Sequence, residues 1–208
     1  MADLPFALGA PDLAARLDAG LDVEEKIPRA LEALGPIAGR DVLVVDGDGG
    51  RRAAQLADRG ARVRSLPAAS PGQPLAAADG SADVVVGFWS AFRAPAAEEV
   101  AEADRVLRSG GRLLVVHDYG RDDVSRLRGE LPEYGAWSRR DGWYLTNGFR
   151  MRVIHCFWTF DSIDVARAFL DEAFGERGRE VGDTLKRPRL SYNVAIYHRS
   201  RGGVEPRA

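Results

Sequence analysis

Three short stretches hold most of the side chains that could do chemistry. Residues 42–55, VLVVDGDGGRRAAQ, join an apolar run to Asp46, Gly47, Asp48, Gly49 and Gly50 and then to a helix-like segment. Glycines here let the backbone approach a ligand, and the unpaired N–H groups of a helix beginning near Gly50 would receive a carboxylate. Phe88, Trp89 and Ser90 close a second apolar run. Their rings could wall a cavity, although alternation along a strand sends one of the two into the core, and Ser90 offers a hydrogen bond near a reacting centre. Residues 117–123, HDYGRDD, have the highest density of acid–base groups, so His117, Asp118 and Tyr119 are the candidate catalytic residues. His117 is the candidate proton acceptor because its ordinary pKa lies near neutrality. Asp122 and Asp123 suit helix capping.

These groups matter only if the chain brings them together. RDVLVVDG at 40–47 is the unbroken apolar run of an interior parallel strand. A helix is expected over 51–59, strands over 61–66 and 82–90, a helix over 95–111 stopped by Ser109-Gly110-Gly111, and a fourth strand over 112–119. Helix alternating with strand predicts an α/β domain with a mainly parallel sheet. Ligands bind such sheets at the carboxyl ends of the strands, where all three stretches fall. Upstream, 11–19 and 22–34 have helical spacing, with Asp12 and Asp22 as caps and Pro28 as a kink or break. Downstream come a helix start at 122–131, a strand at 149–160, a helix from Asp161 or Ser162 to about 174, and a last strand at 191–199. The stretches 120–143 and 175–190 read as polar connections, the first marked as a flap by Tyr134 and Trp137. We expect one domain over 1–199 with an N-terminal helical extension at 11–35, and a flexible tail at 200–208.

Composition narrows the function. With 29 basic and 31 acidic side chains the formal charge is −2, which gives no bulk attraction for nucleic acid. No segment approaches the apolar length of a membrane span, and the N-terminus lacks the pattern of a secretory signal, so a cytoplasmic location is expected. Cys156 is the only cysteine, which excludes an intramolecular disulfide and a cysteine-based zinc cluster. No two of the three histidines have close metal-ligand spacing, and no metal is expected.

The ordered segments resemble the class I S-adenosylmethionine-dependent methyltransferases of the small-molecule type. VLVVDGDGGRRAAQLADRGARV (42–63) is similar to the first motif and the strand after it, DGSADVVVGFWS (79–90) to the fourth-strand motif, and EADRVLRSGGRLLVVHDY (102–119) to the fifth-strand motif. The resemblance implies a three-layer Rossmann-like fold whose mainly parallel sheet ends in an antiparallel strand. It also implies S-adenosylmethionine as cofactor, a small molecule as methyl acceptor, and cofactor contacts at Asp46–Gly50 and Phe88–Ser90. Methyl transfer itself asks the protein mainly to align nucleophile, methyl carbon and sulfur.

The sequence departs from the family pattern in three places. The acid-x-Gly-x-Gly-x-Gly series falls on Asp46, Gly47, Asp48, Gly49, Gly50, Arg51 and Arg52, so only the acid and the middle glycine match. The acid that accepts hydrogen bonds from the ribose is missing from Val63-Arg64-Ser65-Leu66-Pro67. The stretch after that strand is short, so a strand and a helix are expected to be reduced or lost. These departures leave a second reading: a non-catalytic protein of this fold that binds another protein or forms a homodimer.

Overall fold

The computed structural model describes residues 5–6, 8–45, 50–67, 73–93, 97–129, 131 and 136–203. Asp46, Gly47, Asp48 and Gly49 of the first turn, Tyr134 of the expected flap, and residues 204–208 of the tail lie outside the described residues. Six strands, β1 (Asp41–Val45), β2 (Arg62–Leu66), β3 (Ala82–Phe88), β4 (Leu107–Asp118), β5 (Arg150–Thr159) and β6 (Arg189–Ser200), form one sheet in the order β2-β1-β3-β4-β6-β5. The first four run parallel, and β6 is antiparallel to both β4 and β5. Among the described residues no strand continues the sheet past β2, in line with the short stretch that follows it.

The apolar runs of β1, β3 and β4 are continuous because each strand feeds two cores. Val42, Val44, Val84, Val86, Leu114 and Val116 point to one face. They meet side chains from α1 (Pro11–Gly20), α2 (Lys26–Leu34), α3 (Arg51–Asp58), α5 (Asp123–Arg128) and α7 (Ile163–Asp183). Leu43, Val45, Val85, Leu113 and Val115 point to the other, under α4 (Ala97–Val106) and the single turn α6 (Trp143–Thr146). Burying each such side chain stabilises the domain by about 1.5–3 kcal/mol.

Local chemistry moves several boundaries from where periodicity puts them. Pro28 lies in the first turn of α2, where a missing N–H costs nothing, so the helix starts late and is not kinked. Asp22 caps it from outside, accepting from Lys26 N at 3.0 Å and Ile27 N at 2.8 Å. Helix α4 ends at Val106 and Leu107 already pairs with Ala82. A side chain at Gly111 would lie 3.0 Å from Asp83 O, so this crossing from helix to strand needs glycine. Ser162 caps α7 through Val165 N at 3.1 Å. The helix breaks at Gly175 (φ 58°), then runs on to Asp183 through residues that read as a polar connection. The second segment packs back so closely that a Cβ on Gly178 would sit 1.9 Å from Leu170 O. The 120–143 stretch and the turn after it are also partly core: Tyr144 is buried and stacks on Tyr197 with ring centroids 4.0 Å apart, and half-buried Trp137 lies 4.8 Å from the His117 ring.

Candidate functional site

From β1 the chain passes to β2 on one side and then crosses back to β3 on the other, which makes the β1/β3 boundary the topological switch of the sheet. A crevice opens above the carboxyl ends of strands at such a point. In this chain that point lies between the start of α3 and the turn after β3. Gly50 is the N-cap of α3 and accepts from Ala54 N at 3.1 Å. The next two residues carry guanidinium groups across to the end of α1. Arg51 donates to the carbonyls of Asp18 and Leu21. Arg52 is 1% exposed; it donates to Gln55 Oε1 at 2.7 Å, to the Asp18 carboxylate at 3.3 Å and to Leu21 O at 3.4 Å. Carbonyls at a helix C-terminus carry partial negative charge, so two cations stabilise the end of α1 and bind it to the first turn of α3.

The other wall follows β3. Phe88 and Trp89 are both buried in the same core, because β3 stops at Phe88 and Trp89 turns back with φ 46° instead of continuing the alternation. Phe92, three residues on, has φ 57°. Left-handed backbone at non-glycine residues costs about 1–2 kcal/mol each, so the surroundings must hold this turn. Trp89 N donates to Val116 O at 2.8 Å and its indole N–H to Tyr192 Oη at 2.7 Å. The Arg52 guanidinium stands 5.9 Å from the Trp89 ring centre. Ser90, half-buried, donates to Phe88 O at 3.1 Å.

His117 and Asp118 are neighbours on β4 and face opposite layers. Asp118 is 6% exposed, accepts the Tyr192 hydroxyl on Oδ1 and pairs with Arg128 on Oδ2. A chain of polar groups therefore runs from Trp89 through Tyr192 to Asp118 and Arg128, on the layer that also holds Arg52. Burial keeps the Tyr192 phenol protonated well above its ordinary pKa. His117 is fully buried under α6 and donates from Nε2–H to Phe92 O at 3.2 Å, the carbonyl that also accepts from Tyr144 Oη at 2.5 Å. Burial pushes its pKa down to about 3, so the imidazole is neutral. Tyr119 is half-buried, with its N–H bonded to Asn193 O at 2.9 Å. Asp122 caps α5 through Ser125 N at 2.6 Å, and Asp123 accepts from Ser191 N at 2.9 Å, so both tie α5 in place.

Of the sequence candidates, Gly50, Phe88, Trp89, Ser90 and Asp118 lie at the carboxyl ends of the strands or in the layer beneath them, while His117 faces the other layer. Asp18, Tyr192 and Arg128 join them from segments that carried no motif, and Arg52 from the first motif itself. For Arg52 a signal existed: it stands where the family pattern has glycine. A groove of about 470 Å³ beside β1 and β2, lined by Asp41, Arg62, Arg64 and Ser81 among others, lies against the opposite ends of the strands. Among the described residues no group of three His, Cys, Asp or Glu could hold a metal ion, and no helix is long and apolar enough to cross a membrane.

Solved structures share this architecture. The MccD protein matches with a TM-score of 0.52 at 15% identity, over 84% of this chain and 96% of its own. A candidate methyltransferase from an antibiotic biosynthesis pathway of Anabaena variabilis gives a TM-score of 0.52 at 14% identity, over 86% and 98%. A candidate type II methyltransferase from Anaeromyxobacter dehalogenans gives 0.50 at 20% identity, over 83% and 94%. No family model matches the sequence, and no curated protein matches it. The chain has the Rossmann-like fold of the class I methyltransferases, with a six-stranded sheet.

The residues at the switch point fit S-adenosylmethionine unequally. The start of α3, with Arg51 and Arg52, is electropositive and suits the cofactor's carboxylate. At the nucleoside end β2 closes with Ser65 and Leu66, without a carboxylate for the ribose hydroxyls.

Proposed function

We propose that the chain is an S-adenosylmethionine-dependent methyltransferase acting on a small molecule, with the cofactor above β1 and β3 and the acceptor above β3 and β4. The switch point of the sheet, with an electropositive helix start on one side and a strained aromatic turn on the other, carries this reading. When bound, the cofactor supplies an electrophilic methyl group on a sulfonium. Gly50 and the first turn of α3 hold its carboxylate, and Trp89 fixes the wall that keeps water from the reacting atoms. Asp118, paired with Arg128 and Tyr192, anchors that wall. His117, neutral and shielded, positions the Phe92 carbonyl. Ser90 and Tyr119, both half-buried, are the groups proposed to orient the acceptor. An acceptor that is already a good nucleophile, such as an amine, thiol or enolate, suits a site with so little acid–base equipment.

The test is thermal stabilisation by S-adenosylhomocysteine. Ligand at a hundred times its Kd stabilises a folded protein by about 2.7 kcal/mol, so the melting temperature must rise. Gly50→Val, which crowds the helix start, is expected to abolish the rise. No shift in the wild-type chain up to millimolar ligand overturns the cofactor reading. It would favour a non-catalytic protein of this fold, for which the absent ribose carboxylate already speaks.

A further inference from the structure

The sheet ends in two edge strands, β2 and β5, and they differ in charge. On β2, Arg62 is paired with Asp41. β5 and its neighbour β6, with the residues flanking them (142–160 and 184–203), carry seven arginine and lysine side chains and no aspartate or glutamate, in a chain of 29 basic and 31 acidic residues. An acidic chain thus closes its sheet on a cationic edge. Part of that edge is occupied: Asp22 N donates to Phe157 O and Lys26 Nζ to His155 O, both at 3.0 Å, so the segment from Asp22 to Lys26 closes the carboxyl half of β5. In an antiparallel ladder every second residue turns its N–H and C=O away from the neighbouring strand, so Met151 and Val153 present theirs on the same side as Phe157. No described residue bonds to those groups. Arg150 and Arg152 stand exposed on one face of this open half, and Met151 and Val153 are half-buried on the other.

We infer that the amino half of β5, residues 150–154, is a docking edge for an extended acidic segment of a partner protein, which adds to the sheet as a further strand. Its backbone pairs with the free groups of Met151 and Val153. Side chains alternate between the faces of a strand, so carboxylates at every second position meet Arg150 and Arg152, and apolar side chains between them cover Met151 and Val153. A second copy of the chain fits poorly. Twofold pairing of two β5 edges centred on Met151 or Arg152 sets arginine opposite arginine, and like charges across strands oppose pairing. Nucleic acid answers the charge but leaves the backbone groups of the edge unpaired. The assignment does not depend on the cofactor reading, because β4 and β6 separate this edge from β1 and β3.

The probe is a fluorescently labelled octapeptide alternating glutamate and valine, titrated with the full chain at low salt and followed by anisotropy. Saturable binding is expected, and an affinity about tenfold or more weaker in each of two variants. Arg152→Glu reverses the charge beside the open edge. Val153→Pro removes an N–H that faces away from β6, where proline is tolerated, and circular dichroism verifies that both variants are folded. The same peptide with methylated backbone nitrogens keeps its charge, loses its donors and is expected not to bind. Absence of binding by the unmodified peptide to the folded wild-type chain overturns the assignment. Equal binding of the methylated peptide also overturns it, since charge alone would then act, as does an affinity unchanged in both variants. Oligothymidylate that binds more tightly than the peptide, and equally well to Val153→Pro, would transfer the edge to nucleic acid. Self-association of the wild-type chain that Val153→Pro abolishes would transfer it to a second copy.

Discussion

At the amino ends of β1 and β3, Arg108 bridges Asp41 at 2.8 Å and Asp83 at 2.9 Å, and Arg62 adds a 2.6 Å contact to Asp41. At the carboxyl ends of the same sheet Arg52 meets Asp18, and Arg128 meets Asp118. The residue types are alike, but the surroundings differ. The arginines at the amino end have side chains 42% and 63% exposed, against 1% and 13% at the carboxyl end. Water and salt screen the first network, and little stability depends on it. The second is desolvated, so each partner holds the other's charge in place and removal of one leaves an uncompensated ion. Arg52–Asp18 and Arg128–Asp118 thus lie at the end where sheets of this class bind ligands, but shielding by itself does not mark that end: Arg199, opposite Leu113 near the start of β4, makes another shielded pair with Asp104, with side chains 9% and 24% exposed.

Arg128→Ala should do the most damage. It strands the Asp118 carboxylate beside Tyr192 and should lower unfolding stability by about 3–5 kcal/mol in a denaturant titration. A loss no greater than that of an amino-end variant would erase the contrast between the two ends.

His117 gives the next effect, through pH. Its pKa is about 3 in the folded chain against an ordinary value of 6.5, so between these values the unfolded state binds more protons. Its contribution to stability is complete above pH 6.5 and is lost as pH falls toward 3, at about 1.4 kcal/mol per pH unit. His117→Phe should therefore flatten the acid side of the stability profile. A slope unchanged between about pH 4 and 6 would mean that the imidazole is not shielded as the fold implies.

Arg62→Ala should matter least. Asp41 has its pKa lowered to about 2 by hydrogen bonds from Arg62 and then Arg108, and the second partner remains after the substitution. The unfolding midpoint should move less than for either variant above, and the difference from wild type should vanish in about 1 M salt, where screening acts over roughly 3 Å. A large, salt-insensitive loss would show that the amino-end network is as desolvated in its energetics as the carboxyl-end one.

The parallel run of the first four strands, the helix that follows Gly50 and the capping role of Asp122 were legible in the sequence. Each is local: apolar runs of strand length, helical spacing after Gly50, an aspartate just before a helix. The break near residue 174 was legible for the same reason, and the helix beyond it was not, since 176–183 is polar and is held by the close approach at Gly178. Phe88 and Trp89 were expected to diverge by alternation; they share a core because the strand ends between them, a fact set by the turn and by Tyr192 from a distant strand.

The order of residues along the chain was thus enough to specify the class of the fold and the end of the sheet at which to look, because hydrophobic period and turn chemistry act over a few residues. Which polar groups meet at that end was settled only by packing in three dimensions. Arg52 reaches Asp18 34 positions away, and Tyr192 reaches Trp89 across 103. No local pattern encodes such a pairing: it follows from strand order, and its strength from the water that packing excludes.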